Sequence, residues 1–135
     1  MVESEASGSE ESRVNVEDQP CRVWWDDDAG VARAEWQPGA DCGLDVARDI
    51  DGRVGAMGHG KVPLLVDIRN IGSIDRPARE YFMDSATHYT GVALLAESAA
   101  TRMMANFFLG LNRGENRVRM FTVESDALGW LHGRG

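Results

Sequence analysis

The sequence predicts a single α/β domain with the element order ββαβαβαβα, a mostly parallel five-stranded sheet and four helices. Three observations carry this prediction. Two apolar runs have the pattern of strands that are buried on both faces: Leu64 to Ile68, which is interrupted only by Asp67, and Val92 to Ala96. Segments with helical spacing follow both runs. Because the strand and helix patterns alternate after an initial hairpin, we expect parallel strands joined by right-handed crossovers.

The chain begins with an acidic segment that we expect to be disordered. Residues 1–19 hold six acids and one base, a net charge of −5, which leaves only −3 of the total of −8 on residues 20–135. The segment has too little apolar surface to offset the entropy of an ordered chain. Residues 20–135 are enough for one hydrophobic core, so we predict a single domain there.

Composition argues against several classes of function. No signal peptide and no apolar run of membrane-spanning length is present, so we expect a cytoplasmic protein with no membrane partner. The nearly balanced body has no basic stripe for nucleic acid. Cys21 and Cys42 form no CxxC pair and are expected to be reduced and structural. The three histidines have no partner at zinc-ligand spacing, and no cofactor or metal is predicted.

The first element of the body is a hairpin, CRVWWDDDAGVARAEW, with its turn at Asp28, Ala29 and Gly30. Its second strand alternates between two sets of residues, so one face should be packed and the other partly wet. The packed set is Ala32, Ala34 and Trp36, and the other set is Val31, Arg33 and Glu35.

A helix is expected from about Asp41, its N-cap, through Leu44, Ala47 and Ile50, and it should fray into the glycine-rich stretch DGRVGAMGHGK. This stretch matches G-x-x-x-x-G-K. However, Val62 stands where a phosphate-binding loop has Ser or Thr, and the glycines precede a strand instead of opening a helix. We therefore predict a flexible loop and no nucleotide site.

The remaining elements follow the two apolar runs. Asp75 or Arg76 should cap a helix, and Ser98 should cap the next one. The second of these helices has an apolar stripe that we expect to be core, and a last strand and helix should complete the sheet. The stripe consists of Ala100, Met103, Met104, Phe107, Phe108 and Leu111, and the last helix should bury Ala127, Trp130 and Leu131. The two apolar strands should lie side by side at the centre, with the hairpin at one side.

The stretches LLVDIRNIGSIDRPAR, VALLAES-AATRMMANFF and MFTVESDALGWL resemble the STAS class of anti-sigma-factor antagonists. They are more similar still to an uncharacterised bacterial family with the same STAS-like fold. The resemblance covers roughly residues 20–132, and its motifs are mainly packing patterns. It implies a STAS-like domain without enzymatic activity that binds another protein.

The resemblance also bears on regulation. In antagonists of this class an Asp-Ser pair ends the loop after the central strand, and phosphorylation of that serine breaks partner binding. In this chain the aspartate falls on Asp75 and the serine position on Arg76. The usual phosphorylation switch is therefore absent. Ser73 lies three residues too early and has an ordinary explanation as a turn residue.

A binding site is predicted where the C-terminal ends of the parallel strands meet. Three helix N-termini should converge there and, with the arginines, could hold an anion or a carboxylate. The alternative is that these arginines only pair with nearby acids. The candidate ligand- or partner-binding residues are Arg69, Asn70, Ser73, Asp75, Arg76, Arg79, Ser98, Arg102 and Asn106.

Three classes of function remain open. The first is a non-enzymatic regulatory or protein-interaction module that binds another protein or itself. The second is a binder of a small anionic or lipid-like ligand at the strand ends, since the wider fold group includes lipid carriers. The third is an enzyme with Asp67 as its best candidate base, although no nucleophile, base and orienting acid can be assembled. A homodimer is the simplest cover for the sheet face that carries Arg33 and Glu35.

Overall fold

The structure is a computed structural model that describes residues 19–111 and 117–134, without the side chains of residues 107–111 and 134. The predicted disordered segment lies outside the described residues, except for Gln19. Five strands form the main sheet: β1 (Cys21–Asp26), β2 (Val31–Trp36), β4 (Pro63–Asp67), β6 (Gly91–Leu95) and β7 (Val118–Phe121). Two short strands, β3 (Asp41–Cys42) and β5 (Ser73–Ile74), pair with each other.

The helices are α1 (Leu44–Ala56), α2 (Arg76–Ser85), α3 (Ala99–Leu111) and α4 (Glu124–Arg134), and a 3-10 turn (Ala86–His88) follows α2. The strand order of the main sheet is β1-β2-β4-β6-β7. The β1–β2 pair is antiparallel and the other three pairs are parallel. Strands β4 and β6 lie side by side at the centre, and the hairpin lies at one side. The predicted fold class is confirmed.

Alternation along the strands divides the core between two faces of the sheet. On the first face, Ile50 of α1, Ala78 of α2 and Ala105 of α3 belong to the larger core cluster. On the second face, Leu131 of α4 belongs to a smaller cluster with Val31. Leu131 is fully buried, and burial of a leucine side chain contributes about 1.5–3 kcal/mol, so this residue helps hold α4 on the sheet.

The predicted bounds of α1 are wrong at both ends. The helix begins after Gly43, because Asp41 and Cys42 pair with β5 and this ladder takes the backbone that would otherwise start the helix. The helix also runs on through the expected fraying point to Ala56. Val54 continues the buried face, and the backbone amide of Met57 closes the last turn on its carbonyl.

The expected core stripe of α3 is wrong at two positions. Ala100 is exposed and the side chain of Met103 is 73% exposed, whereas Thr101 and Ala105 are buried. Thr101 is bound at the start of the helix to Ser98 and to the amide of Glu97, which fixes the rotation of the helix about its axis. Phe107, Phe108 and Leu111 lie outside the described side chains.

Candidate functional site

The structure divides the predicted site residues among three regions. Arg69 lies in a cleft on the second face of the sheet, at the C-terminal end of β4. Five residues belong to the turn after β4, to β5 and its junction with α2, and to the first turn of α2, and the last three belong to α3 or its N-terminal cap. We name the first region the second-face cleft. It has a volume of about 100 Å³ and is lined by Trp24, Arg33, Ala34, Glu35, Leu65, Asp67, Arg69 and Glu124.

A fixed ion pair forms the floor of the second-face cleft. Asp67 ends the central strand and is only 9% exposed. Arg69 donates its Nε to Asp67 Oδ1 at 3.0 Å and its Nη2 to Asp67 Oδ2 at 2.7 Å. The backbone amide of Arg69 also donates to Asp67 Oδ1. The hydrogen bonds to Asp67 raise the pKa of Arg69, and this bidentate geometry is the strong form of such a pair.

A second arginine extends the pair into a chain of alternating charge. Arg33 donates its Nε to Asp26 Oδ2 at 2.7 Å and its Nη2 to Glu124 Oε2 at 3.0 Å. Burial favours neutral Arg33, but the hydrogen bonds to Glu124 and Asp26 outweigh that effect and raise its pKa. Glu124 lies between the two arginines, with its Oε1 at 3.9 Å from Arg69 Nη2, and begins α4, where the helix dipole favours a negative charge.

The outer part of the second-face cleft is formed by the hairpin. The guanidinium of Arg22 lies 4.2 Å from the ring centroid of Trp24, and that of Arg33 lies 6.0 Å from it. Helix α4 packs over β4, β6 and β7. On the hairpin Arg22 is exposed, and Trp24 and Glu35 are half-buried. The hairpin therefore presents an aromatic ring and both signs of charge to solvent.

The side chains that were predicted to hold an anion have contacts within the protein. Arg76 lies on the surface and binds Glu80 of its own helix at 3.0 Å, and Arg79 donates to the carbonyl of Ile74 at 2.8 Å. Asp75 caps α2 by accepting from the amide of Ala78. An anion at the α2 N-terminus would have to compete with the carboxylate of Asp75.

The turn that precedes α2 is held by local hydrogen bonds. Ser73 donates its Oγ to Asp41 Oδ1 at 2.7 Å across the β3–β5 pair. The carbonyl of Asn70 accepts from the amide of Gly39 at 2.8 Å, and the side chain of Asn70 is exposed. Both residues therefore help to join the turn to the segment that precedes α1.

The third region is an exposed side of α3, which we name the α3 surface and define by Ala100, Arg102, Met103 and Asn106. Ser98 caps this helix by accepting from the amide of Thr101 at 3.2 Å. Residues 99–111 include no acid, although the chain has a net charge of −8. Met103 makes the centre of the α3 surface apolar, and Arg102 and Asn106 place a cation and an amide beside it.

An apolar cavity of about 30 Å³ lies between α2 and the first face of the sheet. The two hydroxyl groups of its lining have other contacts: Ser85 donates to the carbonyl of Phe82 and Tyr89 donates to Asp51. No charged side chain lines it. The remaining lining residues are Trp36, Leu64, Val66, Ile68, Ile74, Met83, Ala86, Val92, Leu94 and Val118.

One carboxylate joins α1 to α2 and the 3-10 turn. Asp51 accepts hydrogen bonds from the hydroxyl groups of Tyr81 and Tyr89, and His88 Nδ1 lies 3.7 Å from it. Burial and the hydrogen bond to Asp51 raise the pKa of both tyrosines. Neutral tyrosines that donate to a carboxylate are a structural arrangement, so we assign this cluster to packing.

Among residues 19–111 and 117–134, no group of three or more His, Cys, Asp or Glu side chains is placed to hold a metal ion. No helix in the described part of the chain is long and apolar enough to cross a membrane.

Of the residues that line the second-face cleft, sequence reasoning named Arg69 as a site residue and Asp67 as a candidate base, and it did not assign Trp24, Arg33, Glu35 and Glu124 to the site. Trp24 is one of three tryptophans in the hairpin, and such residues are more often packing residues than platforms for a ligand. The alternation of β1 with β2 could have found it, since Trp24 lies opposite Arg33 in the register. The exposure of Met103 was also missed, because periodicity gives an apolar stripe but not the rotation of the helix.

Comparisons with known proteins agree with the fold. The sequence profile of a family described as "Domain of unknown function (DUF7793)" matches residues 23–134. The chain is similar to the crystal structure of an uncharacterised protein of the DUF3478 family from Shewanella loihica PV-4, which has a SpoIIAA-like fold. The TM-score is 0.58 and the identity 14%, over 82% of this chain and 91% of that one. No curated protein matches the sequence. The similarity confirms the STAS-like fold predicted from the sequence.

Proposed function

The chain belongs to the family of domains of unknown function DUF7793, and from its geometry we propose that it is a non-enzymatic protein-interaction module that binds its partner through the α3 surface. The observation that carries this proposal is Met103, whose side chain is 73% exposed at the centre of that surface. Methionine is over-used at surfaces that bind other proteins, because its flexible thioether adapts to a partner.

The surroundings of Met103 favour a protein partner with an apolar patch and hydrogen-bonding or acidic groups at its rim. Arg102 and Asn106 are both exposed beside Met103, and each can donate hydrogen bonds. Apolar centres with polar rims are the usual anatomy of protein interfaces. The overall charge of −8 disfavours strongly acidic partners at long range, so the acidic groups of the partner should be few.

The contacts of Asp67 support a non-enzymatic function. This residue was the best candidate base, but the guanidinium of Arg69 binds both of its carboxylate oxygens. A base must accept a proton from a substrate, and both carboxylate oxygens of Asp67 already accept hydrogen bonds from Arg69. The resemblance to anti-sigma-factor antagonists agrees with a binding function. A phosphorylation switch is not proposed, because Arg76 stands at the serine position.

The experiment that tests the proposal compares two exposed apolar residues. Met103→Lys and Val123→Lys each place a charge at an exposed apolar position, of which Val123 is 49% exposed and lies outside the α3 surface. The tagged full chain is used to capture proteins from the cells that encode it, and the captured proteins are quantified. A partner that is retained by Val123→Lys and reduced at least about tenfold by Met103→Lys supports the proposal. Equal capture by both variants contradicts it.

The apolar cavity supports a second candidate function, the binding of a small apolar ligand. Its lining offers hydrocarbon and aromatic groups and no charge. However, a cavity of about 150 Å³ is needed to hold benzene, and this one has about 30 Å³, so only a few carbon atoms fit unless α2 moves. Native mass spectrometry of the purified chain tests this candidate. A bound hydrocarbon-containing species supports this candidate. A measured mass equal to the mass of the protein chain alone counts against it.

A further inference from the structure

The hairpin of β1 and β2 presents a set of side chains on the second face that is complementary to itself. In the register of the two strands Arg22 lies opposite Glu35, and Trp24 lies opposite Arg33. Each row across the hairpin therefore pairs a cation with a group that attracts cations: a carboxylate in one row and an aromatic ring in the other. From this pattern the geometry points to a homodimer in which the two hairpins pack face to face.

Two-fold symmetry between two copies of the hairpin gives the predicted contacts. We consider a two-fold axis that runs parallel to the strands, midway between β1 and β2, in the layer between two copies. Such an axis brings each residue of one copy opposite a residue of the second copy. That residue is the one that pairs with it across the hairpin within a single copy. Arg22 then faces Glu35 of the other copy, and Trp24 faces Arg33 of the other copy. Every contact occurs twice, as an isologous interface requires.

The space above the hairpin fits this packing. Helix α4 lies on the same face over β4, β6 and β7, and it reaches the hairpin through His132, which binds the carbonyl of Ala29 in the turn, and through Glu124, which binds Arg33. It occupies a layer about 10 Å thick, which is also the usual spacing of two packed sheets. The second hairpin can therefore sit beside α4 in that layer. Each copy would cover the part of the second face that α4 leaves exposed in the other.

A second copy is the occupant that the charges favour. The hairpin face carries one exposed cation and one half-buried acid in the same row, Arg22 and Glu35. An unrelated partner would need to present both charges at the same spacing in reverse order. A second copy presents them by symmetry.

The expected dimer is weak. Two six-residue strands present a face of about 20 Å by 10 Å, or about 200 Å² on each copy, which is well below the value of about 800 Å² per partner for a standard interface. Association at micromolar or higher concentration is therefore expected. The hairpin lies on the second face, whereas α3 packs on the first, so this inference is independent of the proposed partner-binding surface.

Sedimentation of the full chain tests the inference. The native chain should show a dimer fraction that rises between about 10 μM and about 500 μM. Arg22→Glu should raise the dimer dissociation constant by about a hundredfold, because both Arg22–Glu35 contacts become repulsive, and Glu35→Arg should do the same. An equimolar mixture of these two variants should dimerise again, since each then offers the charge that the other lacks.

The controls make the outcome decisive. Arg48→Glu introduces the same charge change at an exposed position of α1, and it should leave the dimer intact. Far-UV circular dichroism checks that each variant is folded. The inference is overturned if the native chain stays monomeric at the highest concentration, if both charge variants dimerise as the native chain does, or if their mixture remains monomeric. A dimer that is lost only in Met103→Lys would place the contact on the α3 surface instead, and would also overturn it.

Discussion

Asp75 and Arg76 are neighbours in the chain, but they should contribute differently to stability. Asp75 is the N-cap of α2, and its carboxylate accepts a hydrogen bond from the backbone amide of Ala78. Asp75→Ala should therefore lower the free energy of unfolding by about 1 kcal/mol. Arg76 forms only an exposed pair with Glu80, and Arg76→Ala should stay within about 0.5 kcal/mol. Urea denaturation of both variants measures the difference. Equal losses would show that the cap is not the stabilising contact.

Cys21 and Cys42 should be unreactive in the folded protein. Both are free and buried, and burial raises the pKa of each thiol from 9.0 to about 12. At pH 8 the reactive thiolate is therefore scarce. A disulfide-exchange reagent should label neither thiol quickly in the native chain and both in denaturant. Fast labelling of the native chain would contradict the burial of these residues.

The same shift predicts a loss of stability in alkali. A thiol with a pKa raised by folding contributes stability that is present below pH 9 and is lost as the pH rises towards 12. The raised pKa values of Tyr81 and Tyr89 act in the same direction. The urea midpoint should therefore fall from about pH 9 upward. A midpoint that does not change up to pH 11 would argue against these buried groups.

The residues of the candidate site were only partly predictable. Arg69 could be placed at the strand end because parallel strands share that edge, and the cap of α2 could be limited to Asp75 or Arg76, of which the structure shows Asp75. The partners of the arginines could not be predicted. Arg33 and Arg69 each reach two acids and share Glu124, and which acids they bind depends on angles between elements that the sequence does not contain.

At the scale of the element, two glycine substitutions should have opposite effects. A Cβ at Gly72 would lie 2.3 Å from the carbonyl oxygen of Gly39, so Gly72→Ala should cost about 1–3 kcal/mol. A Cβ at Gly52, inside α1, would meet nothing within 4 Å, so Gly52→Ala should add about 0.5–1 kcal/mol. Thermal or urea denaturation measures both. A stabilising Gly72→Ala would contradict the close approach of these two loops.

The elements show why some bounds were predictable and others were not. The buried strands were recognised from their continuous apolar runs, and Ser98 from its place before a helical stripe. The start of α1 was wrong because Asp41 is a good cap locally, yet pairing with Ser73 places it in a strand. The buried side of α3 was wrong because Thr101, a polar residue, turns inward to bind Ser98 and the amide of Glu97.

At the scale of the whole molecule, alternation of strands and helices was enough to give the topology. Right-handed crossovers that advance in one direction explain why α1, α2 and α3 contribute to the core on the first face. The position of α4 on the second face was not predicted. The helix follows the last strand and joins no further strand, so no crossover rule fixes its side.

The acidic segment should not contribute to the stability of the domain. The first described strand begins at Cys21, and the carbonyl of Pro20 accepts a hydrogen bond from the amide of Gln37. Removal of residues 1–18 should leave the melting temperature unchanged while the net charge falls from −8 to −3. Circular dichroism melts of the full and shortened chains measure this. A melting temperature several degrees lower would show that the segment packs on the body.

The most direct test of the proposed function is in-cell cross-linking from the α3 surface. A photoreactive amino acid replaces Met103 in the full chain, and a matched chain carries it at Asp28, which is exposed in the hairpin turn. If the α3 surface binds a protein partner, position 103 should give one discrete adduct with another protein, and position 28 should not give that adduct. No adduct from position 103, or the same adducts from both positions, would contradict the account.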